Sequence, residues 1–446
     1  MHQATTYPTP TTFEKITGTT NRPVTKEQAL LPADERRVRL ISGIDFTKPV
    51  EEVKTLLRER IRDINTVTHV IYAAYRVPPE KGPMPLRAAN DALLETSITA
   101  ITALAPRIRS VILQTGGKAY GLLFSEHIDL KPPFHDSQPR VPSPWGDEIF
   151  YYSQVDILKR LSSDAGHSWT FTEVRPDTII GFVPGTNAMN VAQGLGFYLT
   201  LFREVHGAGA RCAYPGTAAG YRSLHTDSSQ DIIAKMEIFA ALEPEKCGGG
   251  RAFNVADGEV VTWADIWGGI CAYFGLEGVP PTEDTATAGD FVKQHVDRWP
   301  GLIEREKLES MDILAHNWWF VERILQIPFD RQFDLSSARE VFTPIEFLSW
   351  ELENRLHLLA LNFSGPGRKD PFEIDPLSDL SGSNGLSTVE EKFRTVVDEP
   401  FISFEERSQY LESIGASLGA TFDEPMSEQT PGSFQLDVGV SSALEQ

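Results

Sequence analysis

The stretch "SVILQTGGKAYG", residues 110–121, decides the architecture. Val111, Ile112 and Leu113 are apolar on successive positions, which suits a strand covered on both faces in the interior of a parallel sheet. The run stops at Thr115 and Gly116 and then presents Lys118, a charge that does not follow it inside. Paired glycines let backbone and ligand approach closely at the strand end, and the lysine beyond them becomes a fixed cation at the sheet's carboxyl edge.

Working outward, "THVIYAAY" (68–75) reads as a second buried strand, and "FEKITGTT" (13–20), "RVRLISGI" (37–44) and "WTFTEV" (169–174) as further ones. Between the two buried runs, "NDALLETSITAITALAP" (90–106) carries Leu94, Ile98 and Ile101 at helical spacing and ends at Pro106. A second helix follows Tyr151, with Val155 and Leu158 on one face and Gly166 as its cap. Strands alternating with helices predict an α/β fold, a Rossmann-like parallel sheet with helices on both faces. The Pro- and Gly-rich connection 116–150 leaves the carboxyl end of a strand, where open α/β sheets bind ligands.

Beyond residue 186 the pattern is more aromatic and predicts a smaller, mixed substrate domain. "FNVADGEVVTWADIW" (253–267) reads as a strand, a turn at Asp257 and Gly258, and a helix opened by Thr262 with Asp265 three residues on. The expected division is a disordered 1–12, a nucleotide-binding 13–185, a substrate side 186–360, and an acidic, mostly disordered tail 361–446 with a helix near 404–413.

The apolar content of 41% is enough for a substantial core. A net charge of −21 argues against a nucleic-acid partner, although residues 371–446, with 15 acidic and three basic side chains, supply −12 of it. Cys212, Cys247 and Cys271 form no C-x-x-C pair, so neither a disulfide framework nor a cysteine-built metal site is expected. No window has the length and apolarity of a membrane helix, and "MHQATTYPTPTTFEK" lacks the core of a secretion signal, so a cytosolic location is expected. Hydrolase chemistry finds no G-x-S-x-G, and His225, Asp227 and Ser228 read as a loop or helix cap.

Two further elements answer Lys118. Tyr151 and Tyr152 open a helix, whose electropositive first turn favours a phenol that gives up its proton. Arg175-Pro176 ends a strand before small and polar residues.

"THVIYAAY", "LQTGGKAYG", "PPFHDSQPR", "FYYSQVDIL" and "VRPDTIIGFVPGTNAMN" together resemble successive motifs of the progesterone 5β-reductase/iridoid synthase-like (PRISE) family. These are atypical extended short-chain dehydrogenase/reductases that reduce enones with NADPH. The resemblance runs from about residue 13 to 345 and is nearest to fungal members. It implies Lys118 and Tyr151 as the catalytic pair, with Val155 standing where the wider superfamily keeps its lysine. It further implies that Gln114, Thr115, Pro176 and Ile179 line the cofactor, that Arg22 pairs with its 2′-phosphate, and that Asp45 meets the adenine. Phe124, Tyr152 and Thr178 are implied for the substrate, a small molecule, and homodimers are expected by analogy.

One departure stands out. The first strand and its G-x-x-G-x-x-G turn are expected to be absent, since Gly18 is the only glycine before Arg22. Losing an inner strand exposes two sheet edges and removes the phosphate site. The alternative reading is therefore a non-catalytic or weakly active relative that serves as a binding or regulatory protein.

Overall fold

The computed structural model describes residues 1–29, 31–181, 187–306 and 317–342, and the backbone of 435–439. All belong to one compact unit, Met1–Phe372 with Ser433–Gln446. Among the described residues the sheet has seven parallel strands in the order β2-β1-β11-β3-β4-β5-β9. The strands are β1 Lys15–Thr20, β2 Val38–Ser42, β3 His69–Tyr72, β4 Ser110–Gln114, β5 Thr170–Pro176, β9 Arg251–Val255 and β11 Gln435–Gly439. Short pairs β6 Thr178–Ile180 with β8 Asp227–Ser229, and β7 Arg211–Ala213 with β10 Glu277–Val279, lie outside it.

β11 corrects the expectation of a vacant inner position. It lies parallel between β1 and β3, with Ile16 opposite Leu436 on one side and Val70 opposite Asp437 on the other. A strand from the far end of the chain thus satisfies both edges that a missing first strand would bare. The physical reason is readable in hindsight, because Leu436, Val438 and Val440 alternate with polar or small residues. The rest of the expected tail, including the helix near 404–413, lies outside the described residues.

The N-terminus is the second correction. Instead of a disordered 1–12, α1 His2–Thr6 forms and buries Ala4. Met1 approaches Gly18 so closely that a Cβ there would lie 2.5 Å from its sulfur, which explains a glycine inside β1.

Helices cover both faces. On one side α2 Val50–Arg60, α3 Pro83–Leu104 and α4 Phe150–Asp164 pack Leu57, Leu94, Ile98, Ile101, Val155 and Leu158 against Val70, Val111 and Leu113. Fully burying each such side chain stabilises by about 1.5–3 kcal/mol. On the other side α7 Gln230–Leu242 packs Ile232, Ile233 and Met236 against Ile71 and Ile112. Because β3 and β4 send successive apolar residues to opposite faces, both cores pass through them. α7 is capped by the Ser229 side chain and followed by the short α8 Pro244–Cys247.

A third core gathers Phe197, Tyr198, Tyr214, Trp267, Phe291 and Trp318 around α5 Val191–His206, α6 Ala218–Arg222 and α9 Trp263–Tyr273. The expected Thr262–Asp265 capping box opens α9, and Gly258 turns with φ +94°. No helix among the described residues is long and apolar enough to cross a membrane.

Candidate active site

β4 ends at Gln114, and the chain turns at once. Gly116 has φ +154° and ψ −172°, a region reserved almost entirely for glycine. A Cβ there would lie 3.2 Å from the Pro176 carbonyl and 3.8 Å from the Tyr151 hydroxyl. The strand tips of β4 and β5 and the first turn of α4 therefore meet at this glycine. The next residues, Gly117–Tyr120, form a short 3-10 turn that carries Lys118.

Lys118 and Tyr151 border a common neighbour, Tyr75. The Lys118 ammonium sits 5.8 Å from the centre of the Tyr75 ring, within cation–π range. Tyr75 stacks on Phe150 at 6.0 Å, and Phe150 meets Tyr151 edge-on at 4.5 Å. Burial pushes the Tyr151 phenol well above its ordinary value, with Tyr75 and the Glu173 carboxylate adding to the effect. Burial pushes the Lys118 ammonium the other way. Tyr151 therefore holds its proton, while burial disfavours the charged form of Lys118.

Sequence reasoning missed Tyr75, whose only signal is an aromatic residue just past a buried strand. The other nominated residues separate. Gln114 and Ile179 line a cavity of about 390 Å³, together with Thr20, Leu40, Ala73 and Glu237, a volume within the range of small-molecule sites. Thr115 is buried, and its hydroxyl donates to Glu173 Oε1 at 2.8 Å. Thr178 is buried in β6, its amide donating to Asp177 Oδ1, and Asp177 is itself paired with the buried Arg331. Arg331 thus fixes the turn that carries Pro176 and Thr178.

Phe124 stands in the wall of the 116–150 connection, 5.4 Å from Trp145, which stacks on His127 at 4.2 Å. Tyr152 is committed elsewhere: its hydroxyl donates to the Ala119 carbonyl at 2.6 Å and accepts from the Val141 amide at 3.0 Å. With both bonds made to backbone, it braces the connection and has little left to offer a substrate.

Arg22 and Asp45 lie beyond the carboxyl ends of β1 and β2. Arg22 is exposed, while Asp45 is half-buried. Burial opposes the Asp45 charge, but the Thr47 hydroxyl and amide, both donating to Oδ1, hold its pKa below the usual carboxylate range.

A nicotinamide dinucleotide is tested by these residues in three parts. At the strand tips Gly116 avoids a Cβ that would crowd the Pro176 carbonyl, and Arg22 is exposed beyond the carboxyl end of β1. The middle differs, because no glycine-rich turn precedes Arg22 among the described residues and Glu237 faces the cavity instead. Burial raises Glu237 from its ordinary 4.5 to about 8, and its Oε1 has no hydrogen-bond partner. Near neutral pH burial keeps this group mostly protonated, so it does not by itself bar phosphates from the cavity that Gln114 and Ile179 also line.

The raised pKa has a consequence for stability. The unfolded chain ionises Glu237 above pH 4.5 and the folded chain only above about 8, so this group lowers stability progressively across that interval. Glu237→Gln is expected to stabilise by an amount that grows from near zero at pH 4.5 to on the order of 4 kcal/mol at pH 8. Urea unfolding at both pH values measures it, and a gain independent of pH would contradict the assignment.

The chain is similar to known proteins over most of its length. The family "PRISE-like Rossmann-fold domain" matches residues 3–346. The short chain dehydrogenase ausT of Aspergillus calidoustus is 37% identical over 64% of this chain and 70% of its own length. The short chain dehydrogenase sirQ of Leptosphaeria maculans is 31% identical over 74% of this chain and 84% of its own. The 3-oxo-Delta(4,5)-steroid 5-beta-reductase of Arabidopsis thaliana is 28% identical over 60% of this chain and 67% of its own.

Proposed function

We propose, for a chain that belongs to the PRISE-like Rossmann-fold family and so to the short-chain dehydrogenase/reductase oxidoreductases, that it reduces the double bond of a small α,β-unsaturated carbonyl compound with NADPH. The observation that supports this reading is that Lys118 lies over the Tyr75 ring while the Tyr151 hydroxyl lies beside Gly116, both just past the carboxyl end of β4. The chemistry a bound nicotinamide supplies there is hydride to the β-carbon of the enone. Tyr151 gives its proton to the substrate oxygen as negative charge gathers on it, and Lys118 stabilises that charge. Gln114, Thr115, Pro176 and Ile179 hold the nicotinamide half, Arg22 the 2′-phosphate and Asp45 the adenine. Phe124 and Thr178 border the substrate.

A fluorescence titration with NADPH tests the cofactor reading. Saturable binding is expected, and its absence at millimolar NADPH would remove the reading. In the same assay Arg22→Ala is expected to weaken NADPH by about tenfold and NADH little, as for loss of one charge-assisted contact to phosphate. Equal losses would count against a 2′-phosphate contact.

A second reading, a binding protein without turnover, is favoured by the lack of a glycine-rich turn before Arg22 among the described residues. NADPH bound without oxidation in the presence of 2-cyclohexen-1-one, a bare enone, would support it.

A further inference from the structure

Beneath the site lies a buried ion pair that the proposed reaction does not use. Glu173 and Arg175 project from the face of β5 that also carries Phe171, the side covered by α4. Glu173 is 3% exposed, and both of its oxygens are occupied. Oε1 accepts the Thr115 hydroxyl at 2.8 Å, and Oε2 accepts Arg175 Nη2 at 2.8 Å. The other arm of Arg175 donates to the Asp136 carbonyl at 3.1 Å and the Tyr120 hydroxyl at 3.3 Å. Tyr120 in turn donates to Asn254, whose amide nitrogen donates to the Phe134 and Asp334 carbonyls. The carboxylate is thereby fixed by β4, the 116–150 connection, β9 and the segment near residue 334.

Such a pair is poor value as a stabiliser, since burying two charges costs about as much as their attraction returns. Its position matters more. Thr115 has one hydroxyl proton and has given it to Glu173, so at the strand tip the oxygen offers lone pairs only.

We propose that Glu173 is a positioning residue: it fixes Thr115 as a hydrogen-bond acceptor, so that the strand tip selects an N–H or O–H donor on the nicotinamide riboside half of the cofactor. This rests on the cofactor reading above. Glutamine at 173 would offer either an oxygen or an amine to Thr115 and so would lose the fixed polarity. Valine at 115 would remove the acceptor and leave the Glu173–Arg175 pair in place.

NADPH fluorescence titrations of the full chain and its variants test the proposal. Glu173→Gln and Thr115→Val are each expected to weaken binding about tenfold. The double variant should lose little more than either alone, because both act through one contact, and Thr115→Ser should stay within about twofold. Unchanged affinity in Thr115→Val overturns the proposal even if Glu173→Gln does not fold. A double variant weakened by about 100-fold overturns it as well, since the two residues would then act independently. Absence of saturable NADPH binding by the unaltered chain would instead remove the cofactor reading, and this inference with it.

Discussion

Replacing Tyr151 with phenylalanine is expected to lower NADPH-dependent reduction of 2-cyclohexen-1-one by at least about 10²-fold, while NADPH affinity stays within about twofold. The ring remains, so its edge contact with Phe150 and the packing of the first turn of α4 survive. Only the hydroxyl near Gly116 is lost. Because burial, Tyr75 and Glu173 all raise this phenol, the group is protonated across the working pH range, as the proposed proton donor must be. Steady-state rates set against fluorescence-derived affinity separate the two effects. A variant with unaltered turnover would show that the proton comes from elsewhere.

The second large effect concerns β11. Ending the chain at residue 432 removes the ladder between β1 and β3 on both sides. With each lost backbone hydrogen bond costing about 1 kcal/mol net, destabilisation on the order of 4 kcal/mol is expected, read as a lower urea midpoint. Val438→Pro in the full chain removes one ladder donor and should shift the midpoint the same way by a smaller amount. In hydrogen exchange, amides 436–438 should be protected to the same degree as those of β1. Immediate exchange at those amides, with an unchanged midpoint after truncation, would show that the inner position is not held by this strand.

Much of the sheet was legible because its signals are local. Val111 to Leu113 announce a strand buried on both faces, Leu94, Ile98 and Ile101 announce the helix before it, and Thr262 with Asp265 announces a cap. The local placement of the candidate residues was legible for the same reason, since a lysine after Gly-Gly and a tyrosine at a helix start are positional signals. What escaped depends on partners far away in sequence. Thr115 meets Glu173 across 58 positions and Tyr120 meets Asn254 across 134, which no periodicity records. The tyrosine pair was also indistinguishable by residue type. Only the backbone groups of Ala119 and Val141 assign Tyr152 to bracing. β11 escaped because five residues of weak alternation mean little until two vacant edges are known to await them.

That last strand also bears on how the protein is made. Lys15 pairs with Gln435, so the seam beside β1 stays open while nearly the whole polypeptide emerges from the ribosome. Synthesis at about 5–20 residues per second leaves both bare edges waiting for tens of seconds, during which another nascent chain could zip onto them. The sheet is thus sealed last in its interior.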